Sequence, residues 1–375
     1  MKNNTIGFIF SENPEINLGE LTALRSLAAV PVGGRYRIID FVLSNMVNSG
    51  IIKVGIATAY KNQSLTDHLG SGKDWDMARK HNGLFILPPP ELGDVSDRVA
   101  GGIDYIYRAL HYLRRSHQEY VLVSNSNIIC NIDYDEVMDF HIEKGADITV
   151  VSAKVPTLSS SELKHSILLD IDNESRVTDI QLYPETQKLD NSYMYMFLIN
   201  KELLISLIGD CVSHNLHHIS RDIFLANLDK LNIYAYNFSG YHKNIDSISS
   251  FYDFNMDLLK KEVRQELFGD ASDAIYTKIK DTVPTKYGPC CNVSNSFIAD
   301  GCEIYGQVEN SIIFRGVKVR KDAVVKDSII MQNSDIMDGC VVENAIFDKE
   351  VILRENKRII GQKTYPVVIG KRTIV

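Results

Sequence analysis

The sequence predicts a doubly wound α/β domain over residues 1–247, a helix and linker over residues 248–288, and a parallel β-helix over residues 289–375. The first domain follows from short apolar runs that alternate with longer mixed segments: TIGFIF, VGIAT, YVLVS, DITVVSA, YMYMFLI and IYAYNF. Each run has strand length and is rich in β-branched or aromatic residues, and the intervals have room for crossover helices, as in a parallel sheet covered on both faces. The β-helix follows from a change of period. An apolar residue recurs near every sixth position, with a small or apolar one four places later, pairing Ile298 with Cys302, Ile304 with Val308, Val319 with Ala323, Val325 with Ile329, Ile336 with Cys340 and Val342 with Ile346. A six-residue period suits coils whose inward aliphatic side chains stack, whereas a β-sandwich, the ordinary alternative, alternates with period two. Corners would use Gly301, Gly306, Gly316, Gly339 and the Asn and Asp residues around them. Between the halves, residues 248–268 read as helical, and residues 281–289, with two prolines and a glycine, as the linker.

Composition narrows the function class. A chain of 375 residues with 45% hydrophobic content can bury a full core and suggests two domains. A formal charge of -8 argues against a general nucleic-acid binder, whose affinity rests on clustered Lys and Arg. No apolar run reaches the roughly 20 residues of a membrane helix, and the first residues lack a basic region, a long apolar segment and a cleavage site, so the cytoplasm is the expected compartment. Cys130, Cys211, Cys290, Cys291, Cys302 and Cys340 show neither metal spacing nor a small-domain disulfide pattern and read as thiols. In open α/β sheets ligands bind beyond the carboxyl ends of the strands, which directs attention to the first strand-to-helix loop.

The stretch PVGGRYRIIDFVLSNMVNSGI, residues 31–51, closely resembles the fingerprint of ADP-glucose pyrophosphorylases, which make ADP-glucose from glucose 1-phosphate and ATP. Further likenesses follow in the family's order: HLGSGKDWDMARKHNGLFILPP around Trp75, CNIDYDEVMDFHIEKGADITV from Cys130, FYDFNMDLL from Phe251, and SIIFRGVKVRKDAVVKDSIIMQNSDI in the last part. The resemblance implies a Rossmann-like nucleotidyltransferase domain, a left-handed β-helix, and a tetramer that answers to metabolite effectors.

Nucleotidyl transfer is mostly positioning plus neutralisation of charge, and it asks for glycines around the triphosphate, carboxylates on Mg²⁺ and lysines against phosphate. The resemblance places each of these on a residue that cannot supply it. The family's Gly-Gly-x-Gly-x-Arg loop falls on Glu12, Asn13, Pro14, Glu15, Ile16 and Asn17, with Leu21, Thr22 and Arg25 as a gapless anchor. Pro14 offers no N–H, and Glu12 with Glu15 would repel a triphosphate. The metal-binding aspartate of a Gly-Asp-His triplet falls on Ser126, between Asn125 and Asn127, and the second metal aspartate on Asn244. Asp133 and Asp246 are the nearby carboxylates. The lysine of a Glu-Lys-Pro triplet falls on Tyr183, between Leu182 and Pro184; a strand glycine falls on Met194, a lysine on Leu27 and a glutamine on Ala59. Such a set resembles the regulatory subunit that accompanies the catalytic one in many Gram-positive bacteria. No catalytic residue, metal or cofactor is therefore expected on this chain, Mg²⁺ being expected for the catalytic partner.

What remains is regulation. The resemblance implies that Arg25 and Arg37 contribute to an effector site between the domains, where guanidinium groups grip a phosphorylated metabolite; alternatively, Arg37 and Asp40 salt-bridge to shape the fingerprint loop. Arg35 and Lys53 are weaker candidates. The expected partner is a catalytic ADP-glucose pyrophosphorylase subunit in a hetero-oligomer, a heterotetramer by the family's pattern, with no nucleic acid and no membrane. A working nucleotidyltransferase, a β-helix acyltransferase and a pure scaffold or carbohydrate sensor are the alternatives. The second would need a histidine base, and none occurs after His242. His217 and His218 are adjacent and so do not share a helix face, and no third metal ligand is evident; Trp75 reads as packing.

Overall fold

The structure, a computed structural model, describes residues 4–13, 16–58, 60–80, 82–88, 102–269 and 273–375. Nine strands form one sheet. Thr5–Phe10 runs down its middle, parallel to Lys53–Ala57 on one side and Tyr120–Asn125 on the other, with Gly83–Leu87 beyond Lys53–Ala57. All six apolar runs are strands, and Ile6, Phe8 and Ile9 are fully buried, as expected for a strand covered on both faces.

The sheet is not wholly parallel, as the sequence had suggested. Asn191–Asn200 runs antiparallel to Tyr120–Asn125 and to Ile148–Lys154, and Ile167–Ile171 forms an antiparallel pair with Val177–Leu182. Strand composition carries no direction, so the reversal is visible only in the register. A register shift lies between Tyr193 and Phe197 in the pairing with Ile148–Lys154, and within it Tyr195 takes a left-handed φ of 54°.

Parallel strands beyond residue 286 stack into three sheets of five, one per side of a β-helix. Glu303 pairs with Lys318 and Lys318 with Asp335, so successive coils advance by 15 or 17 residues. That is short of three full hexapeptides. The shortening falls at tight corners, where Asn295, Asn310, Asp327 and Asn344 all have positive φ, a conformation Asn and Asp tolerate better than other residues with a Cβ. Gly301, Gly316 and Gly339 turn the chain in the same way, whereas Gly306 is required by closeness: a Cβ there would lie 2.2 Å from the Ala323 carbonyl oxygen. Beside the Asn corner, Ser311 Oγ accepts the Ser328 amide at 3.1 Å and Ser328 Oγ accepts that of Ala345 at 3.2 Å, pinning coil to coil. Cys302, Ile304, Val319, Val325, Ile336, Cys340 and Val342 are all buried, as the six-residue pattern requires.

The two halves share one core. Helix Ile248–Asp257 places Phe251, Tyr252 and Phe254, and helix Lys261–Phe268 places Val263 and Leu267, in one cluster with Phe41 of the first domain and Ile312, Phe314 and Ile346 of the β-helix. Tyr252 donates its hydroxyl to the Asp327 carbonyl at 2.6 Å. The fingerprint hairpin pairs Pro31 with Arg37 through a Gly-Gly turn, and the Gly33 amide donates to Asn255 Oδ1 at 3.0 Å. Gly33 has φ 57°, and a Cβ there would meet Leu258 at 2.9 Å.

Candidate functional site

Beyond the carboxyl ends of Thr5–Phe10 and Tyr120–Asn125 lies a cavity of about 290 Å³. Its walls are aromatic: Phe10, Tyr105, Tyr183, Tyr193, Tyr195 and Phe197. Glu12, Asn13 and Asn125 approach from the strand ends, and His218, Ser220 and Arg221 from a π-helix, Ile219–Phe224, capped by His218. Asn13 and Tyr183, two of the positions singled out in the sequence, thus meet in one cavity. Burial pushes the Glu12 carboxyl above its usual range, with Lys61 opposing. Arg221 spends two N–H groups on Asp222, at 2.7 and 3.2 Å. Tyr183 and Tyr195 are held at φ 50° and 54°, which for bulky residues costs of order 1–3 kcal/mol each and occurs chiefly where function shapes the backbone.

The metal positions adjoin each other. Strand His242–Asn244 pairs antiparallel with Ile128–Cys130, bringing Asn244 beside the chain that leaves Tyr120–Asn125. Asn127 Nδ2 donates to Asn244 Oδ1 at 2.6 Å, and Asn244 Nδ2 reaches Asp246 Oδ2 at 3.4 Å. Ser126 is buried beside them. This donor set does not suit Mg²⁺, which favours carboxylates and phosphates. A hydroxyl, Ser126, and an amide, Asn244, stand where two anions would be needed, Asn244 is satisfied by Asn127, and burial raises the pKa of Asp246, disfavouring its charged form. Asp133 is committed elsewhere, capping helix Tyr134–Lys144 through the Asp135 amide.

Met194 does not join the site. Its side chain packs with Ile9, Met196 and Leu198 on the opposite face of the sheet from Tyr193. Leu27 is core. Pro14, Glu15 and Ala59 lie outside the described residues. Among the described residues no cluster of three His, Cys, Asp or Glu side chains has the makings of a metal site, and no helix is long and apolar enough to cross a membrane.

Residues 17–261 match the family model described as nucleotidyl transferase, and residues 281–364 the one described as GlmU-like, C-terminal hexapeptide. The chain is 36% identical to the glycogen biosynthesis protein GlgD of Bacillus subtilis, over 98% of this chain and 96% of that protein. It is 40% identical to GlgD of Geobacillus stearothermophilus over 87% and 84% of the two chains. A glucose-1-phosphate adenylyltransferase of Fervidobacterium nodosum is 34% identical over 95% and 85%. The chain belongs to the glucose-1-phosphate adenylyltransferase family. Its body is thus a nucleotidyltransferase domain followed by a left-handed parallel β-helix of hexapeptide type.

In this member of the glucose-1-phosphate adenylyltransferase family, a basic cluster lies where the two domains meet. Arg25 is buried and grips Asp348 of the β-helix with one nitrogen, at 2.9 and 2.7 Å from the two carboxylate oxygens, while its other terminal nitrogen has no hydrogen-bond partner among the described residues. Arg37 donates to the carbonyl and hydroxyl of Ser64, at 2.6 and 3.0 Å. The Arg37–Asp40 ion pair considered from the sequence is replaced by a backbone contact: Asp40 accepts the Arg37 amide at 2.9 Å and meets His68 Nε2 at 2.6 Å. Trp75 packs edge-on against His68, inside the core. Burial, then the nearby Arg37 and Arg25, lower the Lys349 pKa to about 7. The Lys280 pKa is lowered too, by burial first and then by Arg315, Arg37 and Lys278. Lys349 and Lys280 escaped sequence reasoning because a lysine on a β-helix surface or in a linker looks like any other until the two domains meet around it.

Arg35 and Lys53 stand apart from this cluster. Arg35 lies over the Tyr36 ring, and Lys53 over Phe85 and Tyr112 at the far edge of the sheet. His217 contacts Asp104 at 3.0 Å.

The Lys349 shift has a measurable sign. Its folded pKa lies below the ordinary lysine value, so between about pH 7 and that value the unfolded chain binds more protons, and stability rises with pH by at most about 1.4 kcal/mol per unit. Denaturant unfolding at pH 7 and pH 9 is expected to show a gain in the native chain that Lys349→Met removes; parallel pH responses in the two proteins would refute it.

Proposed function

We propose that this chain is the regulatory, largely non-catalytic subunit of a glucose-1-phosphate adenylyltransferase, modulating ADP-glucose synthesis for glycogen biosynthesis in complex with a catalytic subunit. The observation that carries this is that Ser126 and Asn244, the positions where the resemblance puts the two metal carboxylates, offer a hydroxyl and an amide, with the Asn244 oxygen already taken by Asn127 at 2.6 Å. The names of the GlgD relatives and of the adenylyltransferases support the pathway. A body that keeps its packing but lacks charge for turnover acts through contacts, by coupling free energy across a subunit interface. The cluster of Arg25, Arg37, Lys280 and Lys349, close enough that Lys349 is lowered by the other three, supports a phosphorylated effector bound between the domains.

Mixing the purified chain with a catalytic subunit of the family tests this. Co-elution as a hetero-oligomer and a changed rate or effector response are expected, with negligible pyrophosphate exchange by the chain alone under Mg²⁺-ATP and glucose 1-phosphate. Separate elution with an unchanged rate would refute the regulatory reading, and exchange typical of the active enzymes would restore the alternative of a working transferase.

A further inference from the structure

We propose that the aromatic cavity beyond the sheet binds an unphosphorylated glucoside, a neutral pyranose ring, in place of a sugar phosphate or nucleotide. This deepens the regulatory reading and rests on it for the site's release from turnover. The cavity offers a phosphorylated ligand little cationic charge to hold it. Among the described lining residues the one carboxylate is Glu12, which would repel a phosphate, and the one guanidinium, Arg221, is committed to Asp222 and largely exposed. Tyr183 stands where the family's resemblance calls for a cation and contributes an uncharged ring.

Its shape and polarity favour a sugar ring. The volume lies near the lower end of small-ligand pockets, roughly 300–1,000 Å³, and the walls are aromatic with polar groups confined to a few points, the usual make-up of such sites. A gluco-configured pyranose has equatorial hydroxyls, which leave two C–H faces free. Those faces suit the negative π-surfaces of Tyr105 and Tyr193, while Glu12, Asn125 and Ser220 meet the hydroxyl rim. Tyr105 stands edge-on to Phe10 at 6.0 Å, and Tyr193 lies 5.3 Å from Tyr195, so the walls are braced before any ligand arrives.

The backbone points to the same place. Two bulky residues in left-handed conformation and a π-helix, each a rare feature concentrated at functional sites, all converge on this cavity. Asp222 fixes the π-helix by accepting the His217 and His218 amides, both at 2.9 Å, which sets Ser220 at the rim.

Calorimetric titration of the full chain, without divalent metal, with maltose, glucose 1-phosphate and ATP tests the assignment. Saturable maltose binding is expected, with glucose 1-phosphate and ATP at least tenfold weaker. Tyr105→Ala and, as a milder change, Glu12→Gln are each expected to weaken maltose at least tenfold, with thermal melting confirming a folded chain. Absent maltose binding, phosphorylated ligands that bind as tightly as maltose, or a folded Glu12→Gln chain with native maltose affinity would overturn it. Subunit mixing without sugar separates the two readings: maltose binding by a chain that fails to modulate its partner sinks the regulatory role alone, and modulation by a chain blind to maltose sinks this site alone.

Discussion

Asp348→Ala is expected to destabilise the protein by about 3–5 kcal/mol, because it strands the buried Arg25 guanidinium without its counter-charge. Arg25 is already short of one partner, its second terminal nitrogen bonding to nothing among the described residues. Denaturant unfolding at pH 7 measures the loss. Replacing both residues, Arg25→Met with Asp348→Leu, is expected to recover most of it, since a buried pair exchanged for apolar groups of similar volume is often neutral. A loss under about 1 kcal/mol for Asp348→Ala would mean that water reaches the arginine and that the domain junction is looser than the 2.7 Å contact indicates.

The second large effect is a gain. Ser126→Asp combined with Asn244→Asp is expected to create a divalent-metal site where the native chain presents a hydroxyl and an amide. Asn127 can still donate to the new carboxylate at 244, so the local bonding survives. Without metal the added charges sit near Asp246, already disfavoured as an anion, and the variant loses stability. Bound Mg²⁺ or Mn²⁺ restores it by about 2.7 kcal/mol when free metal reaches 100 times the dissociation constant. Thermal melting with and without metal checks this. An unresponsive variant, or a native chain as responsive as the variant, would show that the missing carboxylates are not what separates this site from a working one.

Much of the architecture could be read from the residues because it is local. Six strands announced themselves as β-branched runs, and the inward Ile, Val and Cys of the β-helix kept their period even though its coils advance by 15 or 17 residues. The hairpin of Ile167–Ile171 and Val177–Leu182 did not, since exposed Asp170, Thr178 and Asp179 break the apolar run. Site prediction divided along the same line. Ser126, Tyr183 and Asn244 were singled out as the matches to the family's motifs, as was Met194, which alternates away from its tyrosine neighbours into the core. The aromatic walls of the cavity were not foreseen: Phe10, Tyr105, Tyr193 and Phe197 come from distant segments, and only the fold gathers them around Asn13 and Tyr183.

The contact between Arg25 and Asp348 joins residues 323 positions apart, and this has a consequence during synthesis. At roughly 5–20 residues per second, about 15–65 s pass between the appearance of the arginine and that of the aspartate. Throughout that interval the nascent α/β domain carries a cation it has no means of burying, and its final closure waits on nearly the last coil made. Ribosome-bound chains halted before residue 348 should therefore keep this seam open to water and to proteases.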